Sequence, residues 1–128
     1  MALKDKKIKK SKNIFYSFKY AFEGLIYGFK NAKNLLVDLF ISILVLVFGF
    51  VFNISITEWL IVILCFGVVM SLELVNTAIE EVVNLASPDI HPLAKISKDV
   101  AAGAVLLSAI ASAIIGIIIF LPKFIDLF

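Results

Sequence analysis

Trp59-Leu-Ile-Val-Ile-Leu-Cys-Phe-Gly-Val-Val-Met-Ser-Leu72 runs directly into Glu73-Leu-Val-Asn76-Thr-Ala-Ile-Glu80-Glu-Val-Val-Asn84. The first part is uncharged and suits hydrocarbon, and nothing breaks the helical pattern until Ser87-Pro88. A helix over 57–86 is therefore predicted. At 1.5 Å per residue its roughly 30 residues are about 45 Å long, more than the ~30 Å of a bilayer core, so its last turns should project into water. Carboxylates and amides crowd that end.

Outward from this helix the same composition continues. The second long apolar run is Val100 to Leu121, flanked by Pro122 and Lys123, and a third is Leu39 to Phe52. With 62% hydrophobic residues and a mean hydropathy of +1.06, the chain has more apolar surface than a water-soluble core can absorb. The apolar residues are grouped into runs bounded by charge, as spanning a bilayer requires. The expected fold is an all-α membrane protein with spans at 35–52, 57–86 and 99–121.

Before the first span, 14–31 reads as an amphipathic surface helix, because Phe15, Phe18, Phe22, Leu25, Ile26 and Phe29 recur at helical spacing among Lys19, Glu23 and Lys30. Residues 1–13 read as a disordered basic arm ahead of a single domain over 14–128. All 12 basic residues are lysines, and six of them lie in the first twelve positions. Such an arm can bind nucleic acid, but beside a membrane domain it marks the cytoplasmic side and touches anionic lipid, so no nucleic-acid partner is expected. Lysines at the N-terminus and in the 87–98 loop place both in the cytoplasm and the C-terminus outside, in a multi-pass arrangement. The segment after the arm, with Lys19 and Glu23 and no small-residue cleavage site, is not a signal peptide.

Between the first two spans, Thr57 is the expected cap of the second, with Glu58 at its positive N-terminus and Trp59 in an aromatic belt. Ser87 to Lys98 reads as a polar loop, and Pro122 as the stop of the third span. Cys65, the one cysteine, reads as packing, and His91, alone in the loop, is not expected to bind metal. Ala104, Ser108, Ser112 and Gly116 form a small-residue stripe that serves close helix approach, within one chain or between copies. Three helices are few to enclose a polar site, so a homo-oligomer is expected.

Glu73, Asn76, Glu80 and Asn84 fall at spacings of three, four and four, which puts them on one face of the helix. Ionised groups inside a bilayer are costly and usually line an interior or an aqueous cavity. Glu81 points away from the stripe and reads as solvated. Two carboxylates and two amides offer oxygen ligands of the kind that suit Mg²⁺, which binds through one or two carboxylates plus substrate phosphates. Lys98-Asp99 would add a cation and a further carboxylate at the same depth. There is no glycine-rich phosphate loop and no zinc-type cluster. Phosphate chemistry is one reading of the cluster, and a carboxylate-lined ion pathway is another.

Glu73-Leu-Val-Asn76-Thr-Ala-Ile-Glu80-Glu-Val-Val-Asn84, with His91-Pro-Leu-Ala-Lys95-Ile-Ser-Lys98-Asp99-Val-Ala-Ala-Gly103 and Ala21-Phe-Glu23-Gly24, resembles the small bacterial membrane diacylglycerol kinase and undecaprenol kinase family. The resemblance covers nearly everything after the arm, and the loop is closer to the Gram-positive undecaprenol type. It implies a homotrimer in the bacterial cell membrane where ATP, Mg²⁺ and a lipid alcohol meet at the cytoplasmic interface, with undecaprenol preferred over diacylglycerol. It further implies Glu73 as general base toward the lipid hydroxyl and Glu80 as metal ligand. Asn76 would orient groups around the phosphate, and Lys98 would contact nucleotide phosphates with Asp99 beside it. Asn34, Asn84 and Glu23 would give support.

Two positions depart from the pattern. The family's second metal-binding glutamate, in a Glu-Arg-Asn-like segment, is matched here by Ala32-Lys33-Asn34, and Asn84 stands where aspartate is usual. Alanine beside an intact Lys33 and Asn34 is what deliberate removal of a ligand would leave, and natural loss of activity is the other explanation. A non-catalytic pseudo-kinase or membrane assembly subunit is therefore the alternative to an active lipid kinase.

Overall fold

The computed structural model describes residues 14–128, and the basic arm at 1–13 lies outside them. Four helices and no strands occur among the described residues: α1, Ile14–Asn31; α2, Leu35–Val51; α3, Ile56–Ala86; α4, Pro92–Ile125. The chain divides after Asn31 into two units.

In the first unit, α1 carries exposed Phe18, Phe22 and Ile26, with Tyr16 and Tyr20 stacked at 6.4 Å. At its end the Asn31 side-chain amide donates to the Tyr27 carbonyl at 2.8 Å, satisfying one of the carbonyls a helix terminus leaves over.

In the second unit, α3 and α4 have 31 and 34 residues and are long and apolar enough to cross a membrane. The 17 residues of α2 reach about 26 Å, somewhat short of a ~30 Å hydrocarbon core. The turn after α2 uses Asn53 at φ 52°, a left-handed conformation that asparagine tolerates better than most residues.

Three local expectations are corrected. Ser55, not Thr57, caps α3: its hydroxyl accepts from Glu58 N at 3.1 Å, and the Glu58 carboxylate accepts from Ser55 N at 3.0 Å. This reciprocal capping box satisfies two donors at once, which a lone Thr57 cap cannot do. The polar loop is shorter than 87–98, because α4 begins at Pro92, whose fixed φ and missing N–H suit a first helical position. His91 caps it, its Nδ1 accepting from Leu93 N at 3.1 Å, so that nitrogen serves the backbone. Nor does Pro122 end the last helix, which continues to Ile125, with Asp126 N donating to the Pro122 carbonyl at 3.1 Å. Proline takes away its own donor but leaves its carbonyl able to accept.

The core lies at the α2–α3 turn. Ile54, Val62 and Ile119 are buried there, with Phe52, Trp59 and Phe120 packed against them. Phe52 meets Phe124 edge-on at 4.8 Å, and Phe48 meets the same ring at 5.3 Å. Trp59 lies so close to Gly49 that a Cβ added there would come within 2.5 Å of the indole. At the same end Lys123 Nζ reaches Glu58 at 3.1 Å, joining the start of α3 to the end of α4. The polar residues of α3 lie at its other end.

Candidate active site

The long apolar stretch of α3 reaches its first carboxylate at Glu73, which is only 2% exposed. Burying a carboxyl group demands partners. One is supplied by Asn34, the residue before α2, whose side chain makes no helix-cap hydrogen bond and instead bonds the Glu73 carboxyl group. Below it Thr77, also buried, donates its hydroxyl to the Glu73 carbonyl at 3.1 Å. The carboxyl groups of Asp38, one turn into α2, and Glu80, two turns along α3, both lie close enough to act on Glu73 electrostatically.

One turn beyond Glu73, Asn76 Nδ2 donates to Glu80 Oε1 at 3.1 Å. This fixes the amide so that Asn76 Oδ1 is the remaining acceptor, and that oxygen is buried with no hydrogen-bond partner. A carboxylate beside an unpartnered amide oxygen is a donor set that fits a hard cation. No group of three His, Cys, Asp or Glu side chains converges among the described residues, so such a cation would need further ligands from substrate phosphates.

The third turn of the stripe faces α4. Lys98 Nζ donates to Asn84 Oδ1 at 2.6 Å, which carries a cation to the water-side end of the row. Glu73, Asn76, Glu80 and Asn84 thus follow one face of α3, where Asn76 bonds Glu80 and Asn84 bonds Lys98 of α4, so the row runs from a buried carboxyl group to a half-buried lysine. Asp99 does not join them: it pairs with Lys95 on its own helix. Glu81 is exposed, away from the row. Ala32 is buried, 8% exposed, and offers no ligand atom. Glu23 belongs to the first unit, outside this row.

Sequence reasoning did not find Asp38 as a neighbour of Glu73, nor Asn34 as its direct partner. A signal was available, since Asn34, Asp38 and Ser42 repeat every four residues and form a polar row along the start of α2. Which helix that row faces is a tertiary fact. Here it is α3.

Comparison with known proteins bears directly on this row. The family model for prokaryotic diacylglycerol kinase matches residues 19–120. An undecaprenol kinase of Bacillus subtilis is 46% identical over 109 residues, covering 85% of this chain and 89% of the relative. A diacylglycerol kinase of Synechocystis sp. is 40% identical over 116 residues, covering 90% of this chain and 66% of the relative. The family model takes in every residue of the row, from Asn34 through Glu73 and Glu80 to Lys98, and the chain belongs to the prokaryotic diacylglycerol kinase family.

Proposed function

We propose that the chain is a lipid kinase that transfers the ATP γ-phosphate to a membrane lipid alcohol, with undecaprenol preferred over diacylglycerol. The observation that carries this reading is the row itself, in which a buried carboxyl group at the edge of the apolar stretch is followed by a half-buried carboxylate, two amides and a lysine. A lipid hydroxyl and a nucleotide phosphate approach such a row from opposite ends. The 46% identity to an undecaprenol kinase favours the prenol.

In this reading Glu73, fixed by Asn34, takes the proton of the lipid hydroxyl as the hydroxyl oxygen attacks the γ-phosphorus. The bond from that phosphorus to the β–γ bridging oxygen breaks, and ADP leaves. Glu80 and Asn76 Oδ1 would hold Mg²⁺, which when bound would offset the phosphate charge. Lys98 neutralises nucleotide phosphate at the water side, having only the neutral Asn84 to exchange for it. Asp99 orients Lys95 on the exposed face of α4. Because phosphoryl transfer is mainly positioning and electrostatics, an ordered row of this kind supports direct transfer without a covalent intermediate.

Membrane placement follows the same logic. α2, α3 and α4 span the cell membrane with the N-terminus cytoplasmic, α1 lies at the interface, and three copies assemble so that exposed apolar helix faces are covered.

Ala32 favours a second reading, a copy that keeps the fold and has lost turnover, because no carboxylate stands there to complete the cation's ligands. One experiment separates the two. Transfer from labelled ATP to undecaprenol and to diacylglycerol is measured in micelles for the chain as it stands and for Ala32→Glu. Low activity rising at least tenfold in the variant, with undecaprenol ahead, is expected. No transfer to either lipid in either protein would overturn the kinase reading.

A further inference from the structure

Between the aromatic end and the carboxylate row, α2, α3 and α4 line a partly open cavity of about 230 Å³. Its wall is almost wholly apolar, formed by residues such as Val62, Phe66, Ala113 and Gly116. Asp38 stands in that wall one turn into α2. Ser42, also in the wall, has already given its hydroxyl to the Asp38 carbonyl at 2.7 Å, so it neither donates to the Asp38 carboxyl group nor seeks a ligand. Asp38 Oδ2 is buried and has no hydrogen-bond partner. A polar atom left so in an apolar wall is costly unless something that enters the cavity bonds it.

Ser112 on the α4 side is the other hydroxyl in the wall, so the visitor is mostly hydrocarbon and carries a hydrogen-bonding group at its Asp38 end. A bilayer acyl chain fills the space but offers Asp38 nothing, and an acylglycerol would bring ester groups against an apolar wall. An alcohol meets both demands, since a carboxyl group exchanges a hydrogen bond with a hydroxyl whether ionised or protonated.

We propose that this cavity seats the hydroxyl end of a long-chain monohydric alcohol, with the hydroxyl on Asp38 Oδ2 and the first part of the chain against α3 and α4. The inference rests on the lipid-kinase reading and deepens it, making Asp38 a positioning residue that selects a prenol over an acylglycerol. Asp38 is close enough to Glu73 to act on it electrostatically, so an alcohol held here arrives at the buried end of the row.

The test is a binding experiment on the full chain in micelles without nucleotide. A farnesol analogue carrying a diazirine in its second isoprene unit is photolysed, and labelled residues are mapped by mass spectrometry. Labels are expected at Cys65, Phe66 and Ala113, competed by farnesol but at least tenfold less well by the corresponding hydroxyl-free hydrocarbon or by dioctanoylglycerol. Asp38→Leu should lose that tenfold preference, while Asp38→Asn, which keeps a polar group of the same shape, retains part of it and guards against misfolding. Gly116→Phe should abolish labelling, because a side chain there grows into open space.

In turnover, Asp38→Asn should raise KM for the prenol about tenfold and leave KM for ATP unchanged. Equal competition by alcohol and hydrocarbon, unchanged by Asp38→Leu, would overturn the inference by showing a site for any chain. Labelling that rises only when the oligomer is dissociated would overturn it too, by showing that a second copy fills the cavity. Asp38-dependent labelling without phosphate transfer would leave this inference standing and fail the kinase reading. Transfer with an unaltered prenol KM in Asp38→Asn does the reverse.

Discussion

Glu73 and Glu80 are the same residue type on the same helix and differ in surroundings. Glu73 is enclosed, with its carboxyl group held by Asn34, whereas Glu80 is half-buried and shares an oxygen with the Asn76 amide. Their proposed roles separate accordingly. Glu73→Gln is expected to lower the transfer rate by about 10²- to 10⁴-fold, the usual worth of a general base, with nucleotide affinity unchanged. Glu80→Ala should instead weaken Mg²⁺-dependent nucleotide binding, read by titration with a fluorescent ATP analogue. Equal loss of affinity in both variants would contradict the division. The α3 row was legible in the sequence because 73, 76, 80 and 84 follow the period of a single helix. Asn34 and Asp38 were not assigned to Glu73, because the register of α2 against α3 depends on packing many residues away.

Among the elements, α3 is fixed at its start and α4 at both ends. Removing the Ser55 hydroxyl breaks half of the capping box, so Ser55→Ala should cost about 1 kcal/mol, seen as a lower midpoint in thermal unfolding in detergent. Gly49→Ala should cost more, about 1–3 kcal/mol in the same measurement, because its Cβ would meet the Trp59 ring. If Gly49→Ala melts like the parent, the α2–α3 approach is looser than described. The existence of these helices could be read from apolar runs alone, but their ends could not. Thr57 and Ser55 are both competent caps, and the choice fell to the one with a glutamate three residues on. Pro122 looked like a stop because proline lacks a donor, yet the chain beyond it still found the Pro122 carbonyl. The small-residue stripe of α4 proved partly internal, since Ser112 and Gly116 line the cavity between the helices.

At the scale of the whole molecule, large apolar side chains face outward along both long helices, among them Leu60 and Leu64 on α3 and Leu107 and Ile118 on α4. A patch of that extent has to meet lipid or another copy. Chemical crosslinking in micelles is expected to give a ladder ending at three copies, and a ladder ending at two would remove the trimer. The capping box has a consequence on this scale. It sets the zero of a ruler, since Ser55 caps α3 just before its first residue and the helix rises about 1.5 Å per residue. Measured from Glu58, Glu73 stands about 22 Å along and Glu80 about 33 Å, on either side of a ~30 Å hydrocarbon thickness. In the proposed membrane placement, which puts the capped end at the far interface, the bilayer itself decides which carboxylate is wet. Thickening the membrane by a few ångströms would draw Glu80 into hydrocarbon before tilt or stretching could compensate. Reconstituted transfer activity should therefore peak in lipids of ordinary chain length and fall in longer ones, so that the host membrane's thickness sets the working range of this protein.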